Sequence, residues 1–374
     1  MFRMTKLLVG VTCLSASVSV WANEDVGPWQ GNISYVGDIL SNVNGGMDTG
    51  TTYTGMLTLT VDWRQDLWSA HSNFYFPHGS SVTDRYVGDL AVVSNIDTPS
   101  DARMQELWFE RALGEHSLRF GMLAADTEFW GSDYASLLIN SEFGAPIGIS
   151  GNLPNPAIFP TAAAGVRFAW HIDEGATARF ALLDGDAEDV VDDNPHGFDA
   201  DWGNGSLFLA EYELLESRGE ENTPNRFRVG MYYHTGDWEF IDSDSSNSYG
   251  LTAGLDHAFS DNMGWFARAT VSHHSTSLVP FGFETGLSFN QPWGLPGTLA
   301  TGVGYLSLND DLLAQLDIPD ADYEMQLEAT WDFPITDYLS LQPDIQYIVN
   351  PGGFDFADNA WVVGLRVKLD ANLF

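Results

Sequence analysis

The chain has 374 residues, with 52 Asp and Glu against 15 Lys and Arg, for a formal charge of −37. Such an excess of carboxylates argues against a nucleic-acid partner, because phosphates are repelled. With 23 Phe, 13 Trp and 13 Tyr, the chain is too aromatic to stay disordered.

Arg3 and Lys6 precede the apolar run Leu7 to Val20 and the stretch "SVWANE". A basic start, an apolar run and a small residue before a polar one form a secretory signal peptide, residues 1–22, cleaved after Ala22. A membrane anchor is the alternative, but the run falls short of the roughly 20 residues a spanning helix needs. Gly10-Val11-Thr12 ahead of Cys13, the only cysteine, makes a poor lipoprotein box. Losing Arg3 and Lys6 takes the charge from −37 to −39 and leaves residues 23–374 as one domain without a thiol. No later stretch approaches a membrane-spanning helix, yet an exported chain of this kind can still be integral to a membrane as a closed β-barrel.

Beyond the leader, alternation with period two recurs and helical periodicity is nearly absent. "TGMLTLTVDW" sets Met56 and Val61 among threonines. "RFRVGMYYHTG" puts Phe227, Val229, Met231 and Tyr233 opposite Arg228, Gly230, Tyr232 and His234. "EMQLEATWDF" alternates Met325, Leu327, Ala329 and Trp331 with Glu324, Gln326, Glu328 and Thr330, and "NAWVVGLRVKL" repeats the pattern near the end. The pattern predicts strands near 30–42, 50–63, 68–76, 103–112, 116–125, 163–172, 177–185 and 205–216. A second set falls near 226–236, 247–259, 263–275, 280–291, 298–309, 321–334, 339–350 and 359–372. Short turns such as Gly114-Glu115 alternate with longer polar connections: Ser80 to Ala102, Asp186 to Asn204 and Asp237 to Asn247. The expected fold is all-β, a transmembrane antiparallel β-barrel of about sixteen strands. A secreted β-sandwich or β-helix is the soluble alternative. Aromatics near strand ends (Trp29, Trp63, Trp68, Tyr75, Trp170, Trp238, Trp265, Trp331 and Trp361) favour the barrel, as interfacial girdles. So does the terminal Phe374, although its alternation is one residue out of step with the apolar face.

The segments "SLRFGMLAADTEFWGSDYASLLINSEFGAPIG", "NPAIFPTAAAGVRFAW", "FALLDGD" and "HGFDADWGNGSLFLAEYEL" resemble the carbohydrate-selective porins of the OprB family. "PNRFRVGMYYHTG", "LSLQPDIQYIVNPGG" and "DNAWVVGLRVKL" continue the likeness in family order. The first hundred residues and 276–320 carry little of it. The resemblance implies a sixteen-stranded outer-membrane porin through which sugars, typically glucose, diffuse passively. It implies small sugars and outer-membrane lipid as partners, with the chain a monomer or a homotrimer. A porin of this kind needs no cofactor and does no chemistry.

Sugars need aromatic faces for their C–H surfaces and alternating donors and acceptors for their hydroxyls. Arg119, Arg167 and Arg179 fall on the polar sides of their strands, and a lipid-facing Arg at mid-membrane would cost about 2–4 kcal/mol. Glu106, Trp108 and Glu110 alternate with Leu107 and Phe109, while Glu211, Glu213, Glu324 and Glu328 add acidic walls. Arginines facing carboxylates set up a transverse field and offer bidentate donors to hydroxyls. The bland reading is that these charges pair with each other and keep the lumen wet.

The run Asp126 to about Pro160 is too apolar for an exposed loop and too long for a turn. It reads as the third long loop, folded inward as a constriction, with a helical turn or two at Tyr134 to Asn140. Arg119 and Arg167 head the expected constriction, followed by Asp126, Glu128 and Trp130, with Arg179, Glu106 and Trp108 beside them. Trp130 is a candidate sugar-stacking platform, though an interface anchor is the commoner role for a barrel Trp.

Other constellations are weak. His273 and His274 are adjacent on a strand and point apart, so no metal site is expected. The acidic run 184–204 offers hard oxygen ligands for Ca²⁺ but lacks the spacing of an EF-hand loop, and reads as a solvated outer loop. A general cation-preferring porin is the alternative within transport. An outer-membrane enzyme or secreted sugar-binding protein is the alternative outside it, but no nucleophile-elbow pattern appears.

Overall fold

Alternation gives each segment one apolar and one polar face, a pattern that an extended strand separates cleanly. The computed structural model describes residues 27–187, 193–199, 202, 205–218, 223–236, 247–315, 322–353 and 357–374. Its first strands are β1 (Trp29–Gly46), β2 (Gly50–Gln65), β3 (Trp68–Gly79), β4 (Arg103–Leu113), β5 (His116–Leu123), β6 (Ala163–Asp173), β7 (Ala176–Asp184) and β8 (Ser206–Arg218). They continue as β9 (Thr223–His234), β10 (Ser248–Ser260), β11 (Met263–Ser272), β12 (Phe281–Asn290), β13 (Thr298–Ser307), β14 (Tyr323–Thr336), β15 (Leu339–Val349) and β16 (Asp358–Asn372). Each pairs antiparallel with its sequence neighbour, and β1 pairs with β16, so sixteen strands close into one barrel. Closure leaves no unpaired edge, which is how strands cross a bilayer with every backbone group satisfied. The leader 1–22, Trp238 and much of the acidic run (188–192, 200–201 and 203–204) lie outside the described residues.

One end carries mostly tight turns, at 66–67, 114–115, 174–175, 261–262 and 337–338. The other carries the long connections 80–102, 124–162, 185–205 and 308–322. In outer-membrane barrels the long loops face outward and the short turns face the periplasm. Apolar side chains point outward: Phe227, Val229 and Met231 on β9 are 43%, 43% and 46% exposed. Their neighbours Arg226 and Arg228 point into the barrel with Glu211 and Glu213 of β8.

Two aromatic girdles mark the boundaries of the apolar band. At the turn end Trp29 meets Trp63 at 6.2 Å and Trp331 stacks on Phe333 at 4.5 Å. At the loop end Tyr249 stacks on His273 at 4.5 Å and Tyr305 on Tyr323 at 5.6 Å. Tyr75 belongs to neither girdle. It points inward with Asn73, is 2% exposed, and bonds Gln105 at 3.2 Å. Aromatics on both faces of "NFYF" hide which way that strand turns.

The apolar clusters sit between the two longest loops and the inner wall. Phe129, Trp130, Ile149 and Leu153 of the 124–162 loop pack with Leu183, Leu207 and Tyr232. Leu138 and Phe143 pack with Phe266 and Ala300. Val82, Val87 and Val93 of the 80–102 loop pack with Leu40, Ile348 and Val362. Gly302 on β13 makes room for this: a methyl there would sit 2.5 Å from Leu138 and 2.7 Å from Phe143. Ser80 to Ala102 is therefore not simply a polar connection. β5 also ends at Leu123, two residues before the predicted end, because Ala124 and Ala125 already begin the loop. Within Tyr134 to Asn140 the chain makes one 3₁₀ turn, Ala135–Leu137, followed by short turns at Ser141–Phe143 and Ile147–Ser150.

Candidate functional site

Strand register brings the polar faces of β4 to β9 into one charged panel. Glu110 lies opposite Arg119, and Arg119 lies opposite Arg167. Two guanidiniums facing each other repel, so the pair needs carboxylates between them. Glu110 supplies one, accepting from Arg119 at 3.1 Å and Arg167 at 2.6 Å. Glu128 supplies the second from the 124–162 loop. It accepts from Arg167 Nη2 at 2.5 Å and also from Nε, and lies 3.4 Å from Arg119. Burial pushes the Glu128 carboxyl up, but the charges of Arg119 and Arg167 and the bond from Arg167 outweigh it, leaving a pKa of about 2. Arg119 also lies 3.5 Å above the Trp108 ring, whose other neighbour is the His71 ring at 5.1 Å. This knot is closed: Arg119 and Arg167 are each 3% exposed.

The panel continues more openly on β7 to β9. Arg179 bonds Glu213 at 3.0 Å and lies 3.6 Å from Glu211. Arg228 reaches Glu213 at 2.6 Å and Glu211 at 3.3 Å. Arg226 bonds Asp133 of the loop at 2.7 Å and Glu213 at 3.3 Å. The side chains of Arg179, Arg226 and Arg228 keep 17%, 19% and 12% of their surface, so these cations, rather than Arg119 and Arg167, can meet a solute. Fixed by carboxylates, their N–H groups form a row of charge-assisted donors.

The remaining predicted residues anchor the loop. Glu106, 2% exposed, accepts the Ala124 N–H at 3.0 Å. Asp126 accepts the Phe159 N–H at 3.2 Å, joining the two ends of the loop. Burial pushes the Asp126 carboxyl up to about 7, with Glu106 adding to the shift against the Phe159 bond. Trp130 is neither platform nor membrane anchor: it is 4% exposed and packed among apolar side chains. Its N–H donates to Glu211 at 2.8 Å and its carbonyl accepts from Arg268 at 2.7 Å.

The same loop is clasped from β14 across the barrel and from β10 and β11, which continue the wall beyond β9. Glu328 of β14 accepts the Ile139 and Asn140 N–H groups at 2.6 and 2.9 Å. Asp256 of β10 accepts from the Ser132 hydroxyl at 2.5 Å and the Asp133 N–H at 2.8 Å. Arg268 of β11 donates to the carbonyls of Phe143 and Gly144 as well. Glu324 holds the 80–102 loop through Leu90 N–H at 2.7 Å and Ala91 N–H at 2.9 Å. The two loops also bond each other, Asn95 N–H to the Ile139 carbonyl at 2.8 Å and Ser141 N–H to Val92 at 3.0 Å.

Arg226, Arg228, Arg268 and Asp133 were not singled out from sequence. Arg226 and Arg228 do alternate with Phe227 and Val229, but their importance rests on lying beside Glu213, which register alone decides. Among the described residues no group of three or more His, Cys, Asp or Glu is placed to hold a metal ion.

The family model for carbohydrate-selective porins, OprB family, matches residues 50–370. Porin B of Pseudomonas aeruginosa is 22% identical over 396 residues, covering 90% of this chain and 86% of that protein. The high-pH structure of Pseudomonas putida OprB shares the fold with a TM-score of 0.81 at 19% identity, over 92% of this chain and 94% of its own. OmpF of Salmonella typhi, in complex with daunomycin, matches at a TM-score of 0.58 and 10% identity, over 92% and 97%. The outer-membrane channel DcaP of Acinetobacter baumannii matches at 0.55 and 12%, over 92% and 96%. A closed sixteen-stranded barrel, a lumen lined with ion pairs and a family match over most of its length show that this chain belongs to the OprB family of carbohydrate-selective porins of the bacterial outer membrane.

Proposed function

We propose that this porin passes neutral hexoses, glucose or a close relative, through a constriction made by the 124–162 loop and the arginine panel of β7 to β9. The observation that carries this reading is the residual exposure of Arg179, Arg226 and Arg228 beside carboxylates that fix their direction. Donors held in place lose little entropy on meeting a hydroxyl, and a neutral solute leaves the ion pairs intact. The loop's bonds to β8, β10, β11 and β14 support its role as the constricting element. In a planar bilayer, D-glucose should block the single-channel current saturably. Normal conductance without any block by glucose or its epimers would overturn the hexose reading.

A second preference follows from the charge of −37: small cations should outnumber anions in the current. Reversal potentials in asymmetric KCl test it, and an anion-selective potential would refute it.

A further inference from the structure

At the short-turn end of the barrel a cavity of about 270 Å³ lies between the tip of the 124–162 loop and the ends of β10 to β13. Asp133 and Tyr134 line it from the loop, Asp261 and Asn262 from the β10–β11 turn, and Asn290 and Thr298 from β12 and β13. These are an aromatic ring, two carboxylates, two carboxamides and a hydroxyl. A polyol ring asks for that mixture: acceptors and donors for its hydroxyls and a flat apolar face for its C–H surface.

The site is built rather than incidental. Tyr134 lies against the backbone of β11 because position 264 is glycine; a methyl there would sit 2.2 Å from the tyrosine ring. Asp133 is pinned by its N–H to Asp256 at 2.8 Å and by its carboxylate to Arg226 at 2.7 Å. Its charge is therefore matched, which suits a neutral ligand. That pair also ties the cavity to the arginine panel. β9 runs from the turn end at Thr223 to the loop end at His234, so Arg226 is the panel's lowest arginine on that strand and the cavity lies on its periplasmic side. Conduction past a selective point is faster when a second weak site receives the solute than when one tight site holds it.

We propose that this cavity is an exit subsite that takes one hexose ring after it clears the arginine panel. The proposal rests on the hexose reading above. The test uses the full-length channel in planar bilayers, with D-glucose added to one side and then to the other. In Asn290→Ala and Asp261→Ala, both exposed positions at the barrel mouth, the half-blocking glucose concentration should rise about two- to tenfold from one side and less from the other. Gly264→Ala, which displaces the Tyr134 ring, should weaken block from the same side. Block by glucose equal to wild type from both sides in all three variants would overturn the subsite while leaving the hexose reading intact. A wild-type channel that neither glucose nor its epimers block would overturn both.

Discussion

The two walls of the barrel use the same residue types differently. On β7 to β9, Glu211 and Glu213 spend most of their bonds on arginines that remain partly exposed. On β14, Glu324 and Glu328 are 0% and 4% exposed and spend theirs on backbone N–H groups of the two long loops. A carboxylate in a porin lumen is thus not automatically a solute contact. What it faces decides: a fixed cation that still sees water, or a loop amide that would otherwise be buried without an acceptor.

That contrast is broken or sharpened most strongly at the clasp. In Glu328→Ala two buried N–H groups lose their acceptor, at about 1–3 kcal/mol for each. The loop should detach, giving a larger and noisier single-channel conductance while the barrel keeps its heat-modifiable migration on detergent gels. Conductance equal to wild type would show that the clasp does not set the aperture. Arg228→Ala should do the reverse, with the half-blocking glucose concentration raised about tenfold and a smaller effect on conductance. Arg167→Ala separates the two walls further. Buried against Glu110 and Glu128, it should act through the loop, changing conductance more than sugar affinity, and a change in affinity alone would place it with Arg228.

The smallest effect is a pH step. Asp126, with a pKa of about 7 against an ordinary 3.8, favours the seated loop in its neutral form. Its contribution is present at acid pH, is lost as pH rises from about 4 through 7, and is constant above. Glu128, near 2 against 4.5, has the opposite sign: its contribution is full above 4.5 and lost as pH falls toward 2. Exchange of the Phe159 amide with deuterium, corrected for intrinsic rates, should quicken between about pH 4 and 7 and level off above. Asp126→Asn should flatten that step, and its persistence in the variant would assign it to another group.

Much of the barrel was readable because period two is a local property. "EMQLEATWDF" predicts β14 and its two faces without knowing its neighbours. The lumen-facing arginines followed from the same rule, since a charge opposite Phe or Val has nowhere else to point. Alternation could not say which charges meet. Arg228 and Glu213 become partners only through the register of β8 with β9. Glu328 and Ile139 stand 189 positions apart. Trp130 failed as a solute platform for a related reason: its surroundings come from β8 and β11, far away in sequence. The 80–102 loop hid its apolar character because Val82, Val87, Val93 and Ile96 follow no period, being spaced to fit an irregular wall.

The clasp also carries a statement about time. Ile139 and Asn140 wait on Glu328, and the 80–102 loop waits on Glu324, Gln346 and Arg366. Those acceptors and donors sit on β14, β15 and β16, the last strands of the chain. Both loops therefore have a full set of partners only when the C-terminal strands are in place beside β1. A barrel short of closure would lack those partners, so the act that completes the wall also seats the two loops.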